Sequence, residues 1–310
     1  MQIKSLPGMR NRINVAAWYD DVSHTTQLLA RHVNGVGGVT TPDWGRLELL
    51  SFDANRQLVS ERVVWEGKCK ALNLEDPRAR VSFDGRVLLG LTAVIEEGNA
   101  FVPYPAFCTL STVDWQGGLE GLVVATSLDS GKNLTPLTDT TWVYRKESDD
   151  FSLTLLTRDR ETATATGSLT LDPVPSWASH KIGTTMPPIW ITENEALFFL
   201  HGVSKIGDMY HYALGRAKLV RNGTSFRISH VDPRPFLIPD DLAETAKTLG
   251  IGERHQFRRV VYCCGGIIPP SGIVRGFGKQ NQELSLFVNI GDSQTVEVMY
   301  PLAELTKGWW

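Results

Sequence analysis

A two-part sequence unit recurs five times along this 310-residue chain. Each copy begins with an extended segment headed by polar or charged residues, passes through a turn, and continues as a short apolar strand. The five copies are NVAAWYDD with TQLLARHV, EDPRARVSFDG with RVLLGLTAV, KNLTPLTD with TTWVYRKES, MPPIWITENE with ALFFLHGVS, and RRVVYCCGGIIPPSG with ELSLFVNIGDS. Such an internal repeat predicts a fold made of several similar sheets.

Further alternating segments lie between these pairs, among them GRLELLSFD, GLVVATSLD, HYALGRAKLV and TVEVMYP. Gly, Asp, Asn and Pro separate them, as hairpin turns require. The best helical candidate is residues 239–250, with Asp240 as the N-cap and Gly250 as the stop. Five units of about 62 residues predict one all-β domain over residues 1–310, a five-bladed β-propeller. A β-sandwich is the rival architecture, because the period alone does not exclude it.

Composition narrows the classes of partner. The chain has 31 basic and 34 acidic residues and a net charge of −3, so we expect neither nucleic acid nor a membrane surface as a partner. The first twelve residues, MQIKSLPGMRNR, have no apolar signal-peptide core, and no run reaches ~18 apolar residues. We therefore expect a cytoplasmic protein.

Several common sites are missing from the sequence. It contains no phosphate-binding P-loop, no dinucleotide fingerprint, no HExxH and no GxSxG. The four cysteines lack metal-ligand spacing, which predicts free, mostly buried thiols. We expect no metal and no organic cofactor. The cysteines are Cys69, Cys108, Cys263 and Cys264.

The heads of the repeated units are polar, and they are expected to meet. In a propeller the first strand of each blade lines the central channel, so these heads would converge there. They are Asn14 and residues 75–78, 132–133, 187–188 and 258–259. The second head, EDPR, places two carboxylates and a guanidinium before an apolar strand. Burying such charges without partners costs several kcal/mol, so the cluster is either an ion-pair network or a functional site.

At these residues the chain resembles glycoside hydrolase family 130, the β-mannoside phosphorylases and β-mannosidases. The strongest anchors are EDPR at residues 75–78, followed by a strand and an Asp-Gly turn, and KIGTTMPPIWITENEALFFLHGVS at residues 181–204. Weaker similarities to family segments are INVAAW, KNLTPL with WVYR, RPFLIP, RRVVYCCGG and NIGDS. Together the similar segments span about residues 11–300 and follow the same order as in the family. The resemblance implies a five-bladed propeller.

The resemblance also implies roles for individual residues. Asp76 would be the catalytic acid, its proton passing through a sugar hydroxyl, although an ion pair with Arg78 or Arg80 is the structural alternative. Glu75 would orient sugar hydroxyls or neighbouring arginines. The predicted phosphate-binding set is Arg78, Lys132, Arg145 and His201. The further substrate-binding residues would be Asn14, Arg31 and Asp292. Trp18, Trp44, Trp115 and Trp190 are candidates for stacking on sugars or for burial.

The predicted reaction is inverting phosphorolysis of a β-mannoside, a β-1,4-mannosyl oligosaccharide or a close relative, to α-mannose 1-phosphate. Inorganic phosphate is the co-substrate, and because it is already charged the protein needs cations to hold it instead of a base. The alternatives are an inverting hydrolase with Glu253, Asp240 or Asp241 as the base, a non-catalytic carbohydrate-binding propeller and, more remotely, a furanosidase-type hydrolase. Assembly into a homo-oligomer stays open.

Overall fold

The computed structural model describes residues 1–33, 45–67, 72–110, 118–159, 162–250, 260–268, 282–291 and 293–309. Five antiparallel sheets stand in a ring and form a five-bladed β-propeller. The propeller prediction is therefore confirmed over the sandwich.

The blades follow one another along the chain, but the first strand, β1 (Gln2–Arg10), belongs to the last blade. Blade one contains β2 (Arg12–Asp20), β3 (Thr25–Val33), β4 (Gly45–Phe52) and β5 (Leu58–Glu66). Blade two contains β6 (Leu72–Val81), β7 (Val87–Glu97), β8 (Ala100–Leu110) and β9 (Glu120–Val124). Blade three contains β10 (Gly131–Pro136), β11 (Thr141–Lys146), β12 (Ser152–Arg158) and β13 (Ala163–Thr170).

The last two blades complete the ring. Blade four contains β14 (Lys181–Thr184), the short β15 (Ile189–Trp190), β16 (Glu195–Ile206), β17 (Met209–Asn222) and β18 (Ser225–Val231). Blade five contains β19 (Val261–Ile267), β20 (Glu283–Ile290), β21 (Gln294–Pro301) and the N-terminal β1. The order of pairing in blade five is β19, β20, β21, β1, so the first strand of the chain forms its outer edge.

Helices are accessories in the described part of the chain. Two are 3₁₀ turns, Ser176–Ala178 and Pro239–Leu242, and two are short α-helices, α1 (Ala243–Thr248) and α2 (Leu302–Thr306). No helix among the described residues has the length and apolar character needed to span a bilayer.

The predicted helical segment at residues 239–250 is present as a 3₁₀ turn that leads into α1. Asp240 as its N-cap is wrong, because the turn already begins at Pro239 and its cap is Ile238. The carboxylate of Asp241 accepts a hydrogen bond from the Ile238 backbone N–H at 2.9 Å. Gly250 does terminate the segment, since it adopts a φ of +67° and its N–H donates to Lys247.

The strands nearest the axis are β2, β6, β10, β14 and β19. The inner edge of blade four has two parts, β14 and then β15, which both pair with β16. The predicted inner segment includes the second part and misses β14, and residues 187–188 lie outside any strand, just before β15. Both residues are prolines, which cannot donate to a β-ladder. The predicted head at residues 258–259 lies outside the described residues.

Apolar side chains interlock between neighbouring blades. Leu29 and Leu47 of blade one, for example, share a buried cluster with Leu74 and Leu89 of blade two. The described cysteines, Cys108, Cys263 and Cys264, are free and buried, as predicted. The ring is thus held by packing between sheets, and the inner strands are fixed where they approach the axis.

Candidate functional site

Three inner strands carry the same irregularity. In β2, β6 and β10 the pairing register shifts at Asn14, Asp76 and Asn133, so that two residues of the inner strand oppose one of its neighbour. These three residues have φ values of 50°, 51° and 64°. Asn and Asp tolerate this left-handed conformation better than other residues with a side chain. The bulges re-aim one polar side chain in each of three successive blades.

The Asp76 carboxylate is held on one oxygen only. Asn14 donates a hydrogen bond to its Oδ1 at 2.5 Å, and Asn289 of β20 in turn donates to Asn14 at 2.9 Å. Arg31 Nη1 lies 3.7 Å from the same oxygen. Among the described residues Oδ2 of Asp76 has no hydrogen-bond partner, and 13% of the side chain is exposed. One carboxyl oxygen therefore remains for a substrate.

Glu75 belongs to a buried ion-pair network. Arg31 Nη2 lies 2.7 Å from its Oε1, and Asn73 donates to the same oxygen at 2.9 Å. The predicted structural alternative for Asp76, an ion pair with Arg78 or Arg80, is wrong: Arg78 donates to the backbone carbonyl oxygen of Asp76 at 2.8 Å, and Arg80 pairs with Asp139 at 3.2 Å. The EDPR segment thus supplies both an ion-pair network and a partly exposed carboxylate.

Arg78 is fully buried and ties four blades together. Its guanidinium donates to five acceptors at 2.5 to 3.2 Å: the carbonyl oxygens of Asp76, Thr184 and Thr185, Oδ1 of Asn133 and the hydroxyl of Tyr262. No face of this side chain is exposed to a ligand. The predicted phosphate contact stays a prediction, but the geometry gives Arg78 a positioning role.

Tyr262 connects the residues around Asp76 with those around His201. Its hydroxyl donates to Oδ1 of Asn133 at 2.8 Å, and its ring centroid lies 4.7 Å from that of His201. Through Arg78 and Tyr262, the region of Asp76 is therefore continuous with the region of His201. The sequence did not single out Tyr262, because a tyrosine in an apolar strand is an ordinary strand residue.

His201 of β16 is buried and neutral. Its Nδ1 lies 3.2 Å from the Thr184 carbonyl oxygen, which can only accept, so Nδ1 carries the hydrogen. Burial lowers the pKa of His201 well below its ordinary value, and the positive charges of Arg78, Arg145 and Lys181 lower it further. Nε2 is consequently a hydrogen-bond acceptor. It can receive a hydroxyl of a sugar or of a protonated phosphate.

Lys132 and Arg145 are cross-strand partners on β10 and β11. The Arg145 guanidinium is buried and lies 3.0 Å from Glu147 and 3.4 Å from Asp150. The Lys132 ammonium has no hydrogen bond or ion pair within the described ranges. Lys181, which the sequence analysis did not select, couples electrostatically to both Lys132 and Arg145. The structure thus assembles a cationic group in blades three and four, next to the bulge of β10.

Other candidates are either outside the described residues or exposed. Asp292 and Glu253 lie outside the described residues, as do Trp44 and Trp115. Asp240 and Asp241 are exposed, and Asp241 is engaged in the cap of its 3₁₀ turn. In the part of the chain that the structure describes, no three His, Cys, Asp or Glu side chains are grouped as metal ligands.

A separate cavity of about 560 Å³ lies at the other end of the channel. Trp18 and Arg80 lie four residues after Asn14 and Asp76 on their strands, which is about 13 Å of extended chain. Two of the predicted sugar-stacking tryptophans are therefore found away from Asp76. Residues of all five blades line this cavity, including Trp18, Arg80, Asp139, Trp190 and Ile268.

No protein-family model and no curated protein matches the sequence. Solved structures match the fold. A glycosyl hydrolase from Bacteroides ovatus is 15% identical with a TM-score of 0.66, over 94% of this chain and 84% of that one. A structure described with the GH130 family of mannoside phosphorylases, which contains glycoside hydrolases that target β-1,2 mannosidic linkages in Candida mannan, is 16% identical with a TM-score of 0.63, over 94% and 84% of the two chains.

A more distant neighbour, a family 43 β-1,3-galactosidase with galactodeoxynojirimycin, is 10% identical with a TM-score of 0.59, over 97% of this chain and 93% of that one. At identities of 10 to 16%, the similarity to these structures shows the fold alone. Within that limit, the neighbours agree with the resemblance to family 130 seen in the sequence.

Proposed function

We propose that this chain is an enzyme of the family 130 type that cleaves a β-mannoside by inverting phosphorolysis and releases α-mannose 1-phosphate. The observation that carries the proposal is the carboxylate of Asp76, engaged on one oxygen only, in a cluster of inner-strand residues that also includes Lys132, an ammonium without an ion-pair partner within the described ranges. The similarity of EDPR and of the fold to family 130 supports the choice of sugar.

In the proposed reaction, Asp76 supplies the proton that the leaving oxygen needs, by way of a sugar hydroxyl. Phosphate attacks the anomeric carbon from the opposite face of the ring, so the β-linkage breaks as an α-phosphate ester forms. A nucleophile that is already charged needs electrostatic stabilisation instead of a base. Lys132 and Arg145 provide that charge, and Nε2 of neutral His201 accepts the phosphate hydroxyl.

Further residues orient the sugar. Arg31 and Asn14 both approach Oδ1 of Asp76, and Glu75 is paired with Arg31. We assign these residues, together with Asp292, to the binding of sugar hydroxyls. Arg78 acts through the residues that it holds, because its guanidinium is buried among protein acceptors.

The test is to incubate the protein with β-1,4-mannobiose, and in parallel with β-1,4-mannosyl-N-acetylglucosamine, in the presence and absence of inorganic phosphate. The expected result is release of α-mannose 1-phosphate only when phosphate is present. Equal release of mannose without phosphate would reject phosphorolysis. Sugar binding without turnover under either condition would instead identify a carbohydrate-binding propeller.

An inverting hydrolase is the second candidate, because the neighbour of the GH130 family is described with hydrolases as well as phosphorylases. It requires a base that activates water. The candidates are Glu253, Asp240 and Asp241. If turnover is independent of phosphate, substitution of the base by its amide should abolish it, whereas the same change at the other two positions should leave it intact.

A further inference from the structure

The cavity at the far end of the channel, about 560 Å³ in volume, has no role in the proposed reaction. We propose that it is a second binding site, distinct from the Asp76 cluster, which holds a neutral oligosaccharide against aromatic side chains. This inference rests on the proposed function in one respect, namely that the ligand belongs to the same class as the substrate. It adds a carbohydrate site on the opposite face of the propeller.

Close packing of the inner strands separates the two sites. Along β19, Tyr262 belongs to the Asp76 cluster, whereas Gly266 lines the far cavity. Between them, a Cβ on Gly265 would lie 2.5 Å from the backbone N of Ala17, so β19 and β2 are in direct contact at this level. A ligand in the far cavity therefore does not occupy the space beside Asp76.

Small residues on the inner strands keep the cavity open. Ala17, Ala79 and Gly266 line it from three different blades. A Cβ on Gly266 would lie 2.8 Å from Sδ of Met186, so only glycine leaves room for that side chain. The resulting volume falls within the range of about 300–1,000 Å³ in which proteins bind small organic ligands.

Aromatic side chains form the wall and the rim of the cavity. Trp18 of β2 and Trp190 of β15 lie in the wall. The indole N–H of Trp190 donates to the Leu137 carbonyl oxygen at 3.3 Å, which fixes the ring. Phe83, in the turn between β6 and β7, lies at the rim and is 79% exposed. Flat aromatic faces of this kind suit the apolar C–H face of a sugar ring.

The charges around the cavity balance. Of the described residues that line it, Arg80 and Arg221 are basic, and Asp139 and Glu193 are acidic. Arg80 and Asp139 pair with each other at 3.2 Å and thereby form a wall between blades two and three. A balanced set of charges does not attract an ion of either sign, so it favours a neutral ligand.

Arg221 and Glu193 leave hydrogen-bonding groups at the rim. Nε of Arg221 donates to the Gly223 carbonyl oxygen at 2.8 Å, and its terminal nitrogens have no partner within the described ranges. The carboxylate of Glu193 likewise has none there. A guanidinium offers several donors and a carboxylate only accepts, so the two can bind neighbouring hydroxyls. An aromatic wall with such a polar rim matches the apolar face and the hydroxyl edge of a sugar.

The experiment is NMR titration of β-1,4-mannotriose into isotope-labelled protein without phosphate, followed through the indole N–H resonances. Trp18→Phe and Trp190→Phe assign the two resonances of the cavity. We expect both to shift and to saturate as sugar is added. The indole of Trp177 is the internal reference and should not shift, because it donates to the Asp232 carbonyl oxygen at 3.1 Å in the core between blades three and four.

Phe83→Ala tests the rim and should weaken the binding seen at Trp190 about tenfold. Its side chain is exposed, so its loss removes no core packing. Val22→Ala is the matched control, because Val22 is also an exposed apolar residue in a turn, that between β2 and β3, but does not line the cavity. The dissociation constant of this variant should equal that of the wild type.

Three results would overturn the inference. The first is that neither cavity indole shifts at millimolar sugar. The second is that Phe83→Ala binds as tightly as Val22→Ala, because the shifts would then report a ligand bound elsewhere. The third is that inorganic phosphate shifts the two resonances and the sugar does not, since the site would then select an anion.

The two proposals fail in different ways. Release of mannose without phosphate, together with the expected indole shifts, would remove phosphorolysis and keep the second site. Phosphate-dependent release of α-mannose 1-phosphate without indole shifts would keep phosphorolysis and remove the second site.

Discussion

Asp76 is positioned by its backbone as much as by its partners. Its φ of 51° is sparsely populated for a residue with a side chain, and such strain persists where the surroundings over-determine it. Here the bulge of β6 sets the backbone, and Asn14 fixes one carboxyl oxygen. The other oxygen is left for a ligand, which is the arrangement that a proton donor needs.

Substitution of Asp76 by Asn tests that role. The amide keeps an oxygen that can accept from Asn14 but cannot supply the proton, so we expect kcat to fall by about 100-fold or more while sugar affinity is retained. Steady-state kinetics and sugar titration measure the two effects. Asp139→Asn, at the far cavity, is the control and should stay near wild-type turnover. Wild-type turnover of Asp76→Asn would refute the acid role.

The elements that build the site are the bulged inner strands and the arginine that joins them. Arg78 starts from β6 and reaches Asn133 on β10, Tyr262 on β19 and the backbone of Thr184 at the end of β14. A buried guanidinium is costly unless its donors are satisfied. Asn133, at the bulge of β10, supplies one of the acceptors for these donors. The bulge in β10 therefore helps to stabilise the guanidinium of Arg78, which is carried by β6.

Asn133 therefore contributes through two separable effects. Asn133→Gly removes the acceptor of Arg78 and Tyr262 but suits the φ of 64°, and should destabilise by about 1–3 kcal/mol. Asn133→Ala removes the acceptor and also strains the backbone, which should add about 1 kcal/mol. Urea unfolding gives both free energies. Equal stabilities for wild type and both variants would show that Arg78 does not depend on this acceptor.

At the scale of the whole molecule, the ring is closed by residues from opposite ends of the chain. β1 pairs antiparallel with β21, with Gln2 opposite Met299 and Ser5 opposite Val296. Leu6 and Met9 of β1 are buried in the core between blades one and five. Without β1, β21 would become an open edge strand that can pair with other chains.

Removal of residues 1–9 should consequently destabilise the whole propeller. Burial of Leu6 and Met9 alone is worth about 3 kcal/mol or more, and the ladder with β21 adds to it. We expect a lower Tm and self-association on size-exclusion chromatography. Lys4→Ala, on an exposed position of the same strand, is the control. A truncated protein with unchanged Tm and elution would contradict closure by β1.

Local patterns were enough to predict the blades. Alternation and turn residues identify β2, β6, β10 and their partners because each pattern is contained in a few neighbouring residues. They failed for β14, where the apolar stretch after two prolines was more conspicuous than the four-residue inner strand before it. They also passed over β1, whose role depends on β21, almost 300 residues later in the chain.

The sequence by itself determined the repeated strands and the polar heads on which the candidate site is built, since these depend on side-chain period and turn chemistry. The ring of five sheets decided for the propeller over the sandwich. Only the tertiary structure decided which contacts, burial and charge state the residues of those heads and their neighbours have. The partners of Arg78 come from four blades, the charge of His201 depends on its burial, and Lys181 gains its neighbours from another sheet. Such properties arise from distances between remote residues, and no local pattern encodes them.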